Sequence, residues 1–254
     1  MDKNLKDLLD KKYEQYSTRI FIDNDPLTIP HQFTRKEDIE IAGFLTATIA
    51  WGQRKTIIRN ANKLMQWMDY TPLDFMLHSD PADLDIFKTF VHRTFNGEDC
   101  YFFISRLRNL YRSGDSLENL FNQGYNNHQT MAGAIIHFRK KFLESDHPIR
   151  TEKHLANPAR NAATKRLNMF LRWMIRNDPN SVDFGIWQGI PPSALMCPLD
   201  VHTATVSTKL GLLTRRQRDW KAVEELTEQL KKFDTTDPVK YDISLFALGA
   251  FEDF

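Results

Sequence analysis

Apolar positions recur along this chain every three to four residues, with polar residues filling the gaps. Thr34 and Glu37 are spaced as a capping box ahead of Ile39, Ile41, Phe44, Leu45 and Ile49, which predicts a helix running to about Trp51. A second helix is predicted beyond Gly52, through Ile57, Ile58, Ala61, Leu64, Met65 and Met68. The same period predicts helices near 4–16, 101–112, 116–123 and 129–143. Between Glu144 and Asn161, Pro148 and Pro158 mark a connector.

The pattern is sharpest in the C-terminal third. Asn161 is placed to cap a helix over 162–176, whose Leu167, Phe170, Leu171 and Met174 repeat at i, i+3, i+4, i+7 and should face the core. Asp200 is placed to cap a helix from Val201 to about Leu210, ended by Gly211. Asp219 opens the next, with Val223, Leu226 and Leu230 inward. Asp237-Pro238 reads as a cap followed by proline at the first helical position, starting a last helix that carries Tyr241, Asp242, Leu245, Phe246 and Leu248. Alternating strand-like runs and fixed-period repeats are absent from the sequence, so the expected fold class is all-α.

Composition narrows the classes. With 254 residues the chain suits one large or two small domains; 41% hydrophobic and 26% charged residues are ordinary for a globular protein. No apolar run reaches the ~18 residues of a membrane span, and the start lacks the apolar region of a secretory signal, so a cytoplasmic protein is expected. Two cysteines are too few for a disulfide framework, a four-cysteine iron–sulfur site or a cysteine-rich zinc site. The net charge of +1 hides an uneven spread: Tyr101–Asn180 holds 13 Lys and Arg against 6 Asp and Glu. Such a basic middle fits either an anionic partner such as nucleic acid or a set of solvated helix faces. P-loop, GxGxxG, HExxH and GxSxG motifs are missing. The five tryptophans can stack on bases, though core positions suit most of them.

Two residues carry a candidate chemistry. Lys165 lies in the first turns of its predicted helix, away from the apolar stripe, and Arg172 falls on nearly the same face. A cation there meets the positive end of the helix dipole, and nucleophilic catalysis requires a neutral amine. The same pair reads equally as two solvated basic side chains. Asp200, in Pro198-Leu199-Asp200-Val201-His202, is an N-cap by type, and a carboxylate held ionised by helix amides can also stabilise a cationic sugar. His202 suits a surface or packing role.

At these residues the chain resembles the helix-hairpin-helix DNA glycosylase superfamily, in which a Pro-Val-Asp segment carries the catalytic aspartate and an upstream helix begins with the lysine of the bifunctional members. Lys165-Arg166-Leu167, continuing to Phe170 and Arg172, looks most like the archaeal 8-oxoguanine DNA glycosylase branch, and the chain as a whole resembles a bacterial family placed beside it. The resemblance implies Lys165 and Asp200 as catalytic residues, Arg172 as the second basic residue one heptad on, and Asp242 with Phe246 as pocket lining, where the branch has a tryptophan. Gln53 would match an early pocket glutamine. The glycine-rich hairpin loop of the superfamily is replaced by Pro158-Ala159-Arg160-Asn161.

The resemblance further implies a two-lobed, helical glycosylase-like fold with a divergent hairpin, one lobe over 35–145 and a catalytic lobe over 150–254 together with the N-terminal helix. It implies a monomeric bifunctional glycosylase/AP lyase that excises an oxidised purine, 8-oxoguanine above all, from double-stranded DNA, with no cofactor, metal or membrane. A binding protein of the same fold without the chemistry, and a helical scaffold for protein partners, remain as alternatives.

Overall fold

A computed structural model describes residues 3–18, 22–23, 25–252 and 254. Among them the regular structure is helical, and the only β pairing is in isolated bridges, so the fold class is all-α. The chain forms two compact units, one of residues 24–129 and 133–155, the other of 1–23, 130–132 and 156–254. None of the described helices is long and apolar enough to cross a membrane.

The unit of residues 24–129 and 133–155 is built around α2 (Lys36–Thr48), which is buried continuously from Ile39 to Thr48. A helix apolar on all sides must be central. Phe44 stacks on Phe103 of α5 (Gly97–Arg112) and meets Phe138 and Phe142 of α7 (Met131–Phe142) edge-on, while Phe121 of α6 (Leu117–His128) stacks on Phe138. The buried Glu40 is satisfied by the Tyr111 hydroxyl, which donates to it at 2.7 Å. α3 (Arg54–Trp67) and α4 (Pro72–His78) complete this part of the bundle.

The expected Thr34–Glu37 capping box does not form. α2 begins at Lys36 with Arg35 as a cap residue whose side chain makes no capping bond. The acidic first turn serves its neighbour instead: Asp38 accepts from the Leu73 amide at 2.7 Å, capping α4 across the bundle.

The other unit contains α1 (Lys3–Tyr16), α8 (Lys165–Ile175), α9 (Val201–Lys209), α10 (Trp220–Lys231) and α11 (Tyr241–Phe251). α11 is buried over most of its length, packing on α1 and α9. A Cβ on Gly249 would come within 2.9 Å of Val206 Cγ2 and 3.1 Å of His202 Cβ, so this glycine permits the close α9–α11 approach. Leu167, Phe170, Leu171 and Met174 of α8 are buried as expected, as are Val223, Leu226 and Leu230 of α10. The irregular segment after α8 doubles back on it, with Phe184 and Trp187 amides donating to the Trp173 and Met174 carbonyls.

Asp200, Asp219 and Gly211 act as read from the sequence: the two aspartates cap α9 and α10 with bonds to Thr203 and Ala222 amides, and Gly211 takes φ +72°. Asn161 and Asp237 do not. Asn161 is left-handed, and α8 starts later, behind a left-handed Thr164. Asp237 makes no capping bond; its carboxylate is drawn away to Arg176, and the proline opens only a short 3₁₀ turn ahead of α11.

Candidate active site

Lys165 occupies the first position of α8, half-buried. Its amine donates to the Met169 thioether sulfur at 3.3 Å rather than to a carboxylate. A thioether is a weak acceptor, so the nitrogen is ordered without being committed to an ion pair. Asp200, also half-buried, accepts from the Thr203 amide at 2.9 Å, and one such bond leaves most of its lone pairs available.

The charges of both are felt at a third residue. Asp242, in the first turn of α11, is buried, and burial pushes its carboxyl up to about 6. Arg172 opposes that rise, Asp200 adds to it by like-charge repulsion, and Lys165 opposes it, so the charges of both Lys165 and Asp200 reach this carboxyl. Arg172 Nη1 donates to Asp242 Oδ2 at 2.5 Å, the Thr203 hydroxyl donates to Oδ1 at 3.4 Å, and the buried Cys197 thiol lies 3.9 Å from Oδ1. Burial pushes the Cys197 thiol well up, keeping it protonated and unreactive.

Lys165 and Arg172 are not freely solvated. Arg172 is 5% exposed and bridges Asp242 to Asp183, its Nε donating to Asp183 at 3.3 Å. Asp183 accepts in turn from Arg176 Nη1 at 2.9 Å, and Arg176 continues to Asp237 at 2.9 Å and to the Tyr13 hydroxyl at 2.6 Å. Arg172 therefore holds Asp242 from behind and is not itself open to a substrate. Asp183, Cys197 and Thr203 escaped the sequence reading because they lie on irregular segments or on a helix face whose partner is fixed by packing alone.

Phe246, one turn after Asp242, is half-buried and meets His202 edge-on at 5.8 Å; His202 pairs through Nδ1 with the Gly249 carbonyl at 3.0 Å. Gln53 belongs to the other unit, exposed at the N-terminus of α3 after Gly52 at φ +100°. Trp173, Trp187 and Trp220 are buried, and Trp51 packs against His92 and His154. No cluster of three or more His, Cys, Asp or Glu among the described residues is placed to hold a metal ion.

Seven arginines of the basic middle are tied into the protein. Arg106, Arg108, Arg112 and Arg139 donate to backbone carbonyls, and Arg150, Arg172 and Arg176 to carboxylates. They fasten helix ends and buried acids, and those bound only to carbonyls keep their charge.

The DUF2400 family, described as a protein of unknown function, matches residues 25–251. The chain belongs to this family. No curated protein and no solved structure matches the chain.

Asp242 gives the fold a pH signature. A carboxyl whose folded pKa is about 6 lies above its unfolded value of roughly 4, so the native state holds the proton more tightly. Its contribution to stability is full at low pH and is lost as pH rises from about 4 through about 6. Asp237, raised by burial against Arg176, adds in the same direction. Asp242→Asn should shrink this downward step, measured by urea unfolding at a series of pH values; a step of unchanged size would place its origin elsewhere.

Proposed function

We propose that this chain is a bifunctional DNA glycosylase/AP lyase acting on an oxidised purine, 8-oxoguanine foremost. The observation that supports this reading is the electrostatic coupling of Lys165 and Asp200 to Asp242. A helix-start lysine without a carboxylate partner and a helix-cap aspartate both act on a buried carboxyl pushed up to about 6. One perturbed carboxyl coupled to an amine outside any ion pair suits proton-transfer and nucleophilic chemistry.

The damaged nucleotide leaves the stack before it reacts. The Lys165 amine, deprotonated, adds to the sugar C1′ as the bond from C1′ to the base breaks, and the base departs with that electron pair and a proton. The ring then opens: the nitrogen lone pair forms the C1′=N bond as O4′ leaves C1′ and takes a proton from solvent, giving a protonated Schiff base. Removal of the C2′ proton then expels the 3′ phosphate by β-elimination, and water releases Lys165. Asp200, kept near the reacting carbon by its Thr203 bond, stabilises the positive charge on the sugar. Asp242, its carboxyl raised to about 6, is suited to exchange a proton with a polar edge of the base.

The test is borohydride trapping. Incubated with a duplex containing 8-oxoguanine, the protein should form a covalent protein–DNA adduct, read on a denaturing gel, together with strand cleavage. Duplex binding without adduct or cleavage over a panel of oxidised purines would replace the reading by a binding protein, and absence of any salt-dependent DNA affinity would replace it by a scaffold.

A further inference from the structure

Arg172 lies in the last turn of α8 and Arg176 follows at its end, the i, i+4 spacing at which like charges repel. Asp183 answers both. Its Oδ1 accepts from Arg172 Nε at 3.3 Å and its Oδ2 from Arg176 Nη1 at 2.9 Å, so one wholly buried carboxylate clamps two guanidinium groups. Backbone bonds fix the clamp on either side. The Val182 amide donates to Asp178 Oδ2 at 3.0 Å, and the Phe184 amide to the Trp173 carbonyl at 2.8 Å. Asn177 and Phe184 pair as a β-bridge. Gly185, at φ +60°, permits the close pass behind it, where a Cβ would come within 2.7 Å of Asn177 Cα.

The charges of this cluster do not balance. Among the described residues, Arg172 and Arg176 stand against four carboxylates, Asp178, Asp183, Asp237 and Asp242. Four carboxylates crowded round two cations cannot all ionise at low cost. Asp178, Asp183 and Asp237 bear on Arg176, and Arg172 is divided between Asp183, through Nε, and Asp242, through Nη1. Arg172 is the one cation that hydrogen-bonds Asp242 among the described residues. The other charges facing that carboxyl are Lys165 on α8 and Asp200 at the start of α9, with the Cys197 thiol beside it. On the α1 side, Asp10 is engaged by the Tyr241 hydroxyl at 2.8 Å and by Lys6. A guanidinium spreads one charge over a rigid plane, so the part that Asp183 draws toward Nε is withheld from Asp242.

We infer that Asp183 is a positioning residue for Asp242: by sharing the Arg172 guanidinium it fixes the direction in which Nη1 is presented to that carboxyl and limits the positive charge that reaches it. The inference stands on the buried cluster, and it rests on the glycosylase reading only where Asp242 is given a part in the chemistry. Its consequence is specific. Asp183→Asn leaves the Arg172 charge to Asp242 alone, so Asp242 should ionise at lower pH than the value of about 6 it has beside Asp183.

The experiment is a carbon-13 NMR titration of the side-chain carboxyls from about pH 4 to about pH 8, a range that brackets an ordinary and a raised aspartate. In the wild type, the Arg172 Nε nitrogen signal should move with the same midpoint as the Asp242 carboxyl. In Asp183→Asn the Asp242 midpoint should fall by about one unit or more. Asp178→Asn removes a carboxylate that faces Arg176 but not Arg172, so it should lower the melting temperature and leave the Asp242 midpoint in place. A midpoint that stays put in Asp183→Asn, or moves equally in Asp178→Asn, would reduce Asp183 to a structural ion-pair partner and overturn the inference. Should Asp183→Asn fail to fold, the wild type decides: an Arg172 Nε signal that follows Asp242 supports the sharing, and one that stays flat while Asp242 titrates overturns it. The result is separable from the catalytic one. In a protein that forms the borohydride adduct, the pH above which trapping declines should move down with the Asp242 midpoint in Asp183→Asn. A midpoint that falls in a protein without adduct keeps the role of Asp183 and sinks the glycosylase; an adduct with an unmoved midpoint does the reverse.

Discussion

Lys165→Gln should give a folded protein that binds a lesion-containing duplex with wild-type affinity and forms no borohydride adduct. Lys165 heads α8 but its amine makes only the contact with Met169, so replacing it removes no ion pair and opens no buried cavity. Glutamine is one atom shorter, keeps a polar end and lacks a nucleophilic amine. It also relieves the meeting of a cation with the positive helix end, so thermal stability should be unchanged or rise by a few tenths of a kcal/mol. A Schiff base cannot form without a primary amine, so adduct and strand cleavage should fall to background. The measurement is single-turnover trapping beside anisotropy binding. Adduct formation by this variant at the wild-type rate would remove Lys165 from the chemistry.

The largest effect on stability is expected at Arg176. Its guanidinium is completely buried and answers Asp183, Asp178, Asp237 and the Tyr13 hydroxyl. Arg176→Ala would leave the buried Asp178 and Asp183 and the half-buried Asp237 without their shared cation, with Arg172 the remaining cation in contact with Asp183. Removing one partner of a buried ionic group costs about 3–5 kcal/mol, because the charges left behind remain desolvated. At roughly 2–4 °C per kcal/mol for a chain of this size, the melting temperature should drop by about 10–15 °C, read by calorimetry. Tyr13→Phe, which deletes the hydroxyl's bond to Asp178 and the bond it accepts from Arg176, should cost about 2 kcal/mol. Comparable losses from the two variants would mean that the buried charges are hydrated and the network is not what holds α1 to α8.

The network decides between the two readings of Arg172: it is buried, not solvated. At 100° per residue Arg172 does fall off the apolar stripe, and the sequence pattern stops there. Its burial depends on Asp183 and Asp242, 11 and 70 residues away, which reach it only once the segment after α8 has doubled back and α11 has packed in. The turn ahead of α8 shows the same limit. Pro158-Ala159-Arg160-Asn161 lacks glycines, yet Asn161 and Thr164 adopt left-handed backbone that glycine would otherwise supply. The compensation is the Asn161–Asp219 bolt, a contact across 58 positions that no local rule announces.

What the chain determined by itself was local: the helical class, the inward faces of α8 and α10, the caps at Asp200 and Asp219, and the Gly211 stop. Each follows from interactions within a turn or two, where periodicity and side-chain reach suffice. Tertiary structure decided which charges are spent. It buried Arg172 and Arg176 among aspartates, took Asp237 away from its own helix, raised Asp242 beside Lys165 and Asp200, and left Arg160, Arg216, Arg218 and Lys221 at the surface. The physical reason is desolvation: a buried charge must find its counter-charge wherever packing places one, and that distance along the chain is set by the fold alone.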